Sequence, residues 1–191
     1  MTTLVFATHN SKKILELKSL LPEGFSVVSA AELEVPEPEE TGTTLEENSS
    51  LKANFVFNHC LKPSLADDSG LEVDALQGRP GVYSARYAGE PKSDLANLQL
   101  VLSELGNSSN RSAQFRTILS YRDQNGIYQF EGIIRGHLTL QPRGENGFGY
   151  DPIFIPEGET KTFAEMSLSE KNQYSHRAKA FQKFLTFIEG Q

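Results

Sequence analysis

The 191 residues carry 18 Lys and Arg against 25 Asp and Glu, a net charge of -7, with 38% hydrophobic residues and one cysteine. That balance excludes a protein that works by blanketing nucleic-acid phosphates with cations, and no window approaches the roughly 18 apolar residues of a membrane helix. A chain of this size buries a core without disulfides; the lone Cys60 cannot make an internal one, and with no basic leader at the start the expectation is a cytoplasmic protein without membrane or nucleic-acid partners.

Leu4 to Thr8 reads as a short buried strand. A helix follows, with Asn10 or Ser11 as its cap, Ile14, Leu17 and Leu21 on one face, and Pro22 ending it. Ser26 to Ser29 is a second strand. Glu32 to Glu40, rich in glutamate and holding two prolines, reads as an unpacked surface loop. Thr44 and Glu47 have capping-box spacing and predict a helix to about Cys60, with Leu51 and Phe55 buried and Asn48 and Lys52 sharing a face. A strand from Ser64 runs into Asp67-Asp68-Ser69-Gly70, after which Leu71, Val73 and Ala75 alternate.

Gln77 to Lys92 is an irregular loop. Ser93 caps a helix with a stripe of Leu95, Leu98, Leu102 and Leu105, closed by Gly106. Ala113 to Arg122 and Ile127 to Leu140 are strands joined at Asn125-Gly126, with room for a bulge at Gly132 or Gly136. Arg143 to Asp151 is glycine-rich, Ile153 to Ile155 is a short strand, and Ser167 to Glu170 is a second capping box. The last helix starts near Ser175, with Ala178, Phe181, Leu185 and Ile188 inward. With no internal repeat, strands and helices mix throughout. The class is therefore α/β in one domain, residues 1–191, around a sheet that is not purely parallel.

Several segments suit chemistry. Thr8-His9-Asn10-Ser11-Lys12-Lys13 joins a strand to a helix start, where free amides and the dipole favour phosphate, though the spacing is not that of a P-loop. The adjacent carboxylates Asp67 and Asp68 are costly unless a cation compensates them, and magnesium accepts one or two carboxylates plus phosphate oxygens. The same Asp-Asp-Ser-Gly is also ordinary turn chemistry. Gly147-Phe148-Gly149-Tyr150-Asp151 exposes a ring suited to stacking on a base, or forms a bulged turn around a core phenylalanine. Lys171 to Arg177 places His176 and Arg177 at a helix start, a second anion-suited position.

Taken together these segments resemble the inosine/xanthosine triphosphate pyrophosphatases. The resemblance covers essentially the whole chain. It runs through Ala7-Thr8-His9-Asn10 with Lys13, Glu40-Thr41-Gly42, Glu47-Asn48, Lys52-Ala53, Ala66 to Leu71, Pro80 to Tyr87, Phe148 to Pro152, Ala164 to Met166, Lys171 and Ser175-His176-Arg177. His9 departs from the family, in which many members carry a small residue there. The resemblance implies an elongated mixed sheet flanked by helices, two lobes with a substrate cleft, a homodimer, Mg²⁺, and hydrolysis of ITP, dITP and XTP to the monophosphate and pyrophosphate. It implies that Thr8, His9, Asn10, Ser11, Lys12 and Lys13 hold phosphates with Lys52 close by, and that Asp68 is acid/base and metal ligand. Glu39 or Glu40 would be a further ligand and Ser69 a substrate contact. Phe148, Gly149, Tyr150, Asp151, Lys171, His176 and Arg177 would hold base and sugar. Two rivals remain: a pyrophosphatase for modified pyrimidine nucleotides, and a nucleotide-binding module without catalysis.

Overall fold

The computed structural model describes residues 2–190. Strands β1 (Thr2–Phe6), β2 (Phe25–Ser29), β3 (Ser64–Val73), β4 (Ser112–Arg122), β5 (Ile127–Leu138) and β6 (Phe154–Pro156) form one sheet in the order β2-β1-β3-β4-β5-β6. Helices α1 (Ser11–Leu20), α2 (Leu45–Cys60), α3 (Asp94–Leu105), α4 (Leu168–Tyr174) and α5 (His176–Glu189) are interspersed with them. β1 runs parallel to both β2 and β3, whereas β5 and β6 are antiparallel. The sheet is therefore mixed, as the α/β reading required. No helix among the described residues is long and apolar enough to cross a membrane.

The chain forms two compact units. Met1–Asp68, Thr117–Gly132 and Arg177–Gln191 make the first, and Ser69–Arg116 with Ile133–His176 the second. In the first unit β1 is covered on both faces. Leu4 and Phe6 pack with Leu17, Leu65, Leu119 and Phe184, while Val5 and Ala7 pack with Ala53, Val56 and Ala66. An unbroken apolar strand is what burial on both faces demands, and each such large side chain contributes about 1.5–3 kcal/mol. The Ser49 Oγ lies 3.0 Å from the carbonyls of Ala66 and Ile118 and 2.7 Å from Ser120 Oγ, closing α2 onto β3 and β4.

The second unit packs Leu71 and Val73 of β3 against Leu98, Val101 and Leu105 of α3, with Phe115, Phe154 and Phe163 below. A six-residue 3₁₀ segment, Gly81–Arg86, lies directly on β3. Ser84 Oγ accepts the Leu71 N–H at 2.9 Å and donates to the Gly81 carbonyl at 2.6 Å. Gly70 permits this approach, since a Cβ there would stand 2.4 Å from the Gly81 oxygen.

Several details differ from the sequence expectation. The face of α2 that is buried carries Leu45, Asn48, Ser49, Lys52, Ala53 and Val56, while Leu51 and Phe55 are half-buried. Hydropathy chose the apolar pair, but the helix turns a polar face inward. On α3 the core stripe is Leu98, Val101 and Leu105. Leu95 is 61% exposed and Leu102 half-buried, because the buried face centres on Leu98, Val101 and Leu105 and takes Val101 in place of Leu102. On α5 the buried apolar residues are Ala180, Phe181, Phe184 and Leu185, with Ala178 and Ile188 only partly covered. The glutamate-rich loop packs in one place, through the buried Val35. β5 stops at Leu138 rather than Leu140.

Candidate active site

In the first unit β1 leads into a capped helix. Thr8 is buried and its Oγ1 accepts the Asn10 N–H at 3.1 Å. Asn10 Oδ1 then accepts the amides of Lys12 and Lys13 at 3.0 and 3.4 Å. Two of the amides expected to face phosphate are thus taken by the Asn10 cap. His9, Ser11 and Lys12 remain exposed around it.

Beside this cap stand two linked sets of charges. Asp67 accepts Lys13 Nζ at 2.9 Å on one oxygen and Arg177 Nε at 3.1 Å on the other, and Arg177 also pairs with Glu16 at 3.0 Å. Asp68 Oδ1 accepts Lys52 Nζ at 2.8 Å, and the same ammonium reaches Glu40 at 2.8 Å. All of these groups belong to the first unit.

The neighbouring aspartates therefore part company. Burial opposes the charge on Asp67, but Lys13, Arg177 and Lys52 together hold its carboxyl far below the usual range. For Asp68 burial prevails: it pushes the pKa up, Lys52 and Lys13 offset only part of that, and Glu40 adds to it. Burial lowers the pKa of Lys13. It also works against the charge of Lys52, yet Asp68, Glu40 and Asp67 raise that ammonium above its ordinary value. Two adjacent carboxyls with separated affinities for protons are a common arrangement for acid/base work.

Lys13, Lys52 and Arg177 interleave with Asp67, Asp68, Glu16 and Glu40. Asp68 Oδ2 is buried and has no hydrogen-bond partner among the described residues. A desolvated carboxylate oxygen without a donor suits a cation. No three Asp, Glu, His or Cys side chains converge on one point among the described residues. A divalent ion held here would draw its remaining ligands from phosphate and water, as magnesium does. Of the two candidate glutamates, Glu40 shares Lys52 with Asp68, whereas Glu39 is exposed.

The second unit carries the aromatic loop. Asp151 Oδ2 accepts the Phe148 N–H at 2.9 Å and Lys171 Nζ at 2.7 Å, and both of these charged side chains are 4% exposed. The Lys171 ammonium lies 5.2 Å from the Phe148 ring centre and 5.4 Å from that of Phe163. Gly147 has φ 74, and a Cβ there would meet Asp151 Oδ2 at 2.0 Å, so only glycine lets the loop close on this carboxylate. Asp94 Oδ2 accepts the Gly149 N–H at 2.9 Å, and the Tyr150 hydroxyl donates to the Ser84 carbonyl at 2.8 Å.

This geometry re-sorts the predicted residues. Lys13, Lys52 and Asp68 come together with Glu40. Arg177, expected with the base-binding loop, is bound to Asp67 and Glu16 in the first unit. Tyr150 is buried and braces the loop, Ser69 is half-buried, and Phe148 and Gly149 are half-buried at the loop's tip. His176 is 1% exposed, its ring stacked on Phe115 at 4.7 Å and 13°, so it is built into the core of the second unit. Sequence reasoning passed over Glu16 and Asp94, and gave Ser84 no role of its own. Glu16 lies three residues beyond Lys13, and its burial depends on pairing with Arg177, far along the chain.

The Ham1 family model matches residues 4–187. The dITP/XTP pyrophosphatase of Bacillus subtilis is 48% identical over 194 residues, covering 99% of this chain and 98% of that protein. Its counterpart in Christiangramia forsetii is 45% identical, covering 97% and 98%. Among solved structures, a Ham1 protein from Coxiella burnetii superposes with a TM-score of 0.91 at 38% identity, over 100% of both chains. The chain belongs to the Ham1 family.

Proposed function

We propose that this protein is a nucleoside-triphosphate pyrophosphatase that converts the non-standard purine nucleotides ITP, dITP and XTP to the monophosphate and pyrophosphate. Its full-length relatives carry the name dITP/XTP pyrophosphatase. The observation that carries the reading is Lys52 fixed between Glu40 and Asp68, beside an Asp67 already neutralised by Lys13 and Arg177.

In this reading Asp68 and Glu40 would hold Mg²⁺. When bound, the ion neutralises phosphate charge and polarises the phosphorus–oxygen bonds. Asp68, with its raised pKa, orients a water and takes its proton as the oxygen attacks phosphorus. The bond to pyrophosphate breaks, and Lys13 and Lys52 stabilise the charge that moves onto the leaving group. Asp67 keeps Lys13 and Arg177 in place.

Base selection follows from the 6-position. Hypoxanthine and xanthine present a carbonyl there and adenine an amino group, so a donor in the site is left unpaired against ATP. In this reading Lys171 is that donor and Phe148 stacks on the base, a role supported by the Lys171 ammonium lying near the Phe148 ring. The protein acts as a homodimer in this reading, which light scattering checks.

The test is a panel of ITP, XTP, dITP, GTP and ATP, with and without Mg²⁺, scored for pyrophosphate against phosphate. Pyrophosphate from ITP and XTP only with Mg²⁺ is expected. Orthophosphate as the product, or equal turnover of ATP, would overturn the assignment.

A further inference from the structure

The inward face of α2 carries two polar residues one turn apart, Asn48 and Lys52, which are 0% and 5% exposed. Lys52 joins Glu40 to Asp68. Asn48 has no part in the chemistry above, yet it is the more deeply buried. Its Oδ1 accepts the Gly42 N–H at 2.8 Å. Its Nδ2 is buried and meets no acceptor among the described residues. An amide left half-satisfied in the interior burdens the fold, and an apolar side chain of that size would not.

What an apolar side chain could not do is hold the backbone at Gly42, two residues from Glu40. A Cβ on Gly42 would stand 2.6 Å from Asn48 Oδ1 and 2.7 Å from Glu47 Cβ, so the contact requires glycine. The segment entering α2 is thus pinned at two heights on one helix face: Gly42 to Asn48, and Glu40 to Lys52.

We propose that Asn48 is a positioning residue whose side-chain carbonyl fixes Gly42, and through it places Glu40 against Lys52 to share a divalent cation with Asp68. The proposal rests on the reading of Glu40 and Asp68 as cation ligands. Because Asn48 acts through Glu40, its loss weakens cation binding and leaves nucleotide binding at saturating cation nearly intact.

Mn²⁺ is the probe, titrated by electron paramagnetic resonance against the whole protein with a non-hydrolysable α,β-methylene analogue of ITP. Asn48→Ala should weaken Mn²⁺ about tenfold, the low end of the effect of residues that orient metal ligands. The Mg²⁺ needed for half-maximal turnover should rise equally, with the KM for ITP at saturating Mg²⁺ changed less than about twofold. Gly42→Ala should reproduce both shifts, and the double variant should be no worse than either single one, because both remove the same contact. Circular dichroism checks folding; should Asn48→Ala fail it, Gly42→Ala carries the test alone. A folded single variant with unchanged Mn²⁺ affinity, or additive effects in the double variant, would overturn the proposal. Glu40→Gln separates the two levels. If it leaves Mn²⁺ affinity unchanged, the cation reading is wrong and this proposal with it. If it weakens Mn²⁺ while Asn48→Ala does not, only the positioning role is wrong.

Discussion

Each unit buries a lysine against carboxylate, and the two pairs are finished to different degrees. In the second unit one Asp151 oxygen takes both Lys171 and the Phe148 amide, so the charge is matched and the loop is held. In the first, Lys52 is divided between Glu40 and Asp68, and an oxygen of Asp68 stays buried without a donor. The matched pair needs no further charge to balance it, whereas a buried carboxylate oxygen without a donor suits a cation.

That contrast can be broken most directly at Asp68. Asp68→Asn should lower pyrophosphate release about 10²–10⁴-fold, the range for a general base, while thermal unfolding changes little; near-normal turnover in a folded variant removes Asp68 from the mechanism. Lys52→Met and Lys171→Met should each cost about 3–5 kcal/mol by stranding a buried carboxylate. Calorimetry with and without Mg²⁺ tells them apart. The ion should restore part of the loss in Lys52→Met, by linkage to the folded state, and none in Lys171→Met. Equal recovery in both would dissolve the distinction.

Phe148→Ala should raise the KM for ITP about tenfold with kcat nearly kept, from loss of about 1–3 kcal/mol of stacking. An unchanged KM places the base elsewhere. The smallest effect lies in the capping box before α4. Ser167→Ala should cost about 1 kcal/mol in urea unfolding. Its partner Glu170 is pulled down to about 2 by the Ser167 amide and by Lys161. A carboxyl depressed in the folded state adds stability above its unfolded pKa and loses it as pH falls toward 2. Glu170→Gln should therefore flatten the acid limb of the stability curve, and an unaltered limb refutes the cap.

The helix caps at Asn10, Thr44, Ser93 and Ser167 were legible in the sequence, because capping is local chemistry. The inward face of α2 was not. Nothing in its spacing ranks Asn48 and Lys52 above Leu51 and Phe55 as buried residues, since their burial depends on Glu40, Gly42 and Asp68. The site shows the same limit. Asp68 stood out as half of an acid pair and Lys13 as a charge near a helix start, but Asp67, which binds Arg177, lies 110 residues from it in the chain. Nor does the spacing say that Glu40 rather than Glu39 reaches Lys52.

The separation between Arg177 and Asp67 also sets an order of assembly. The first unit is built from three stretches of chain, the last beginning at Arg177, whereas every residue of the second has been synthesised by His176. A growing chain can close its second unit while Asp67 still lacks the Arg177 guanidinium. The ion pairs around Asp67 are then completed only by the last stretch of the chain.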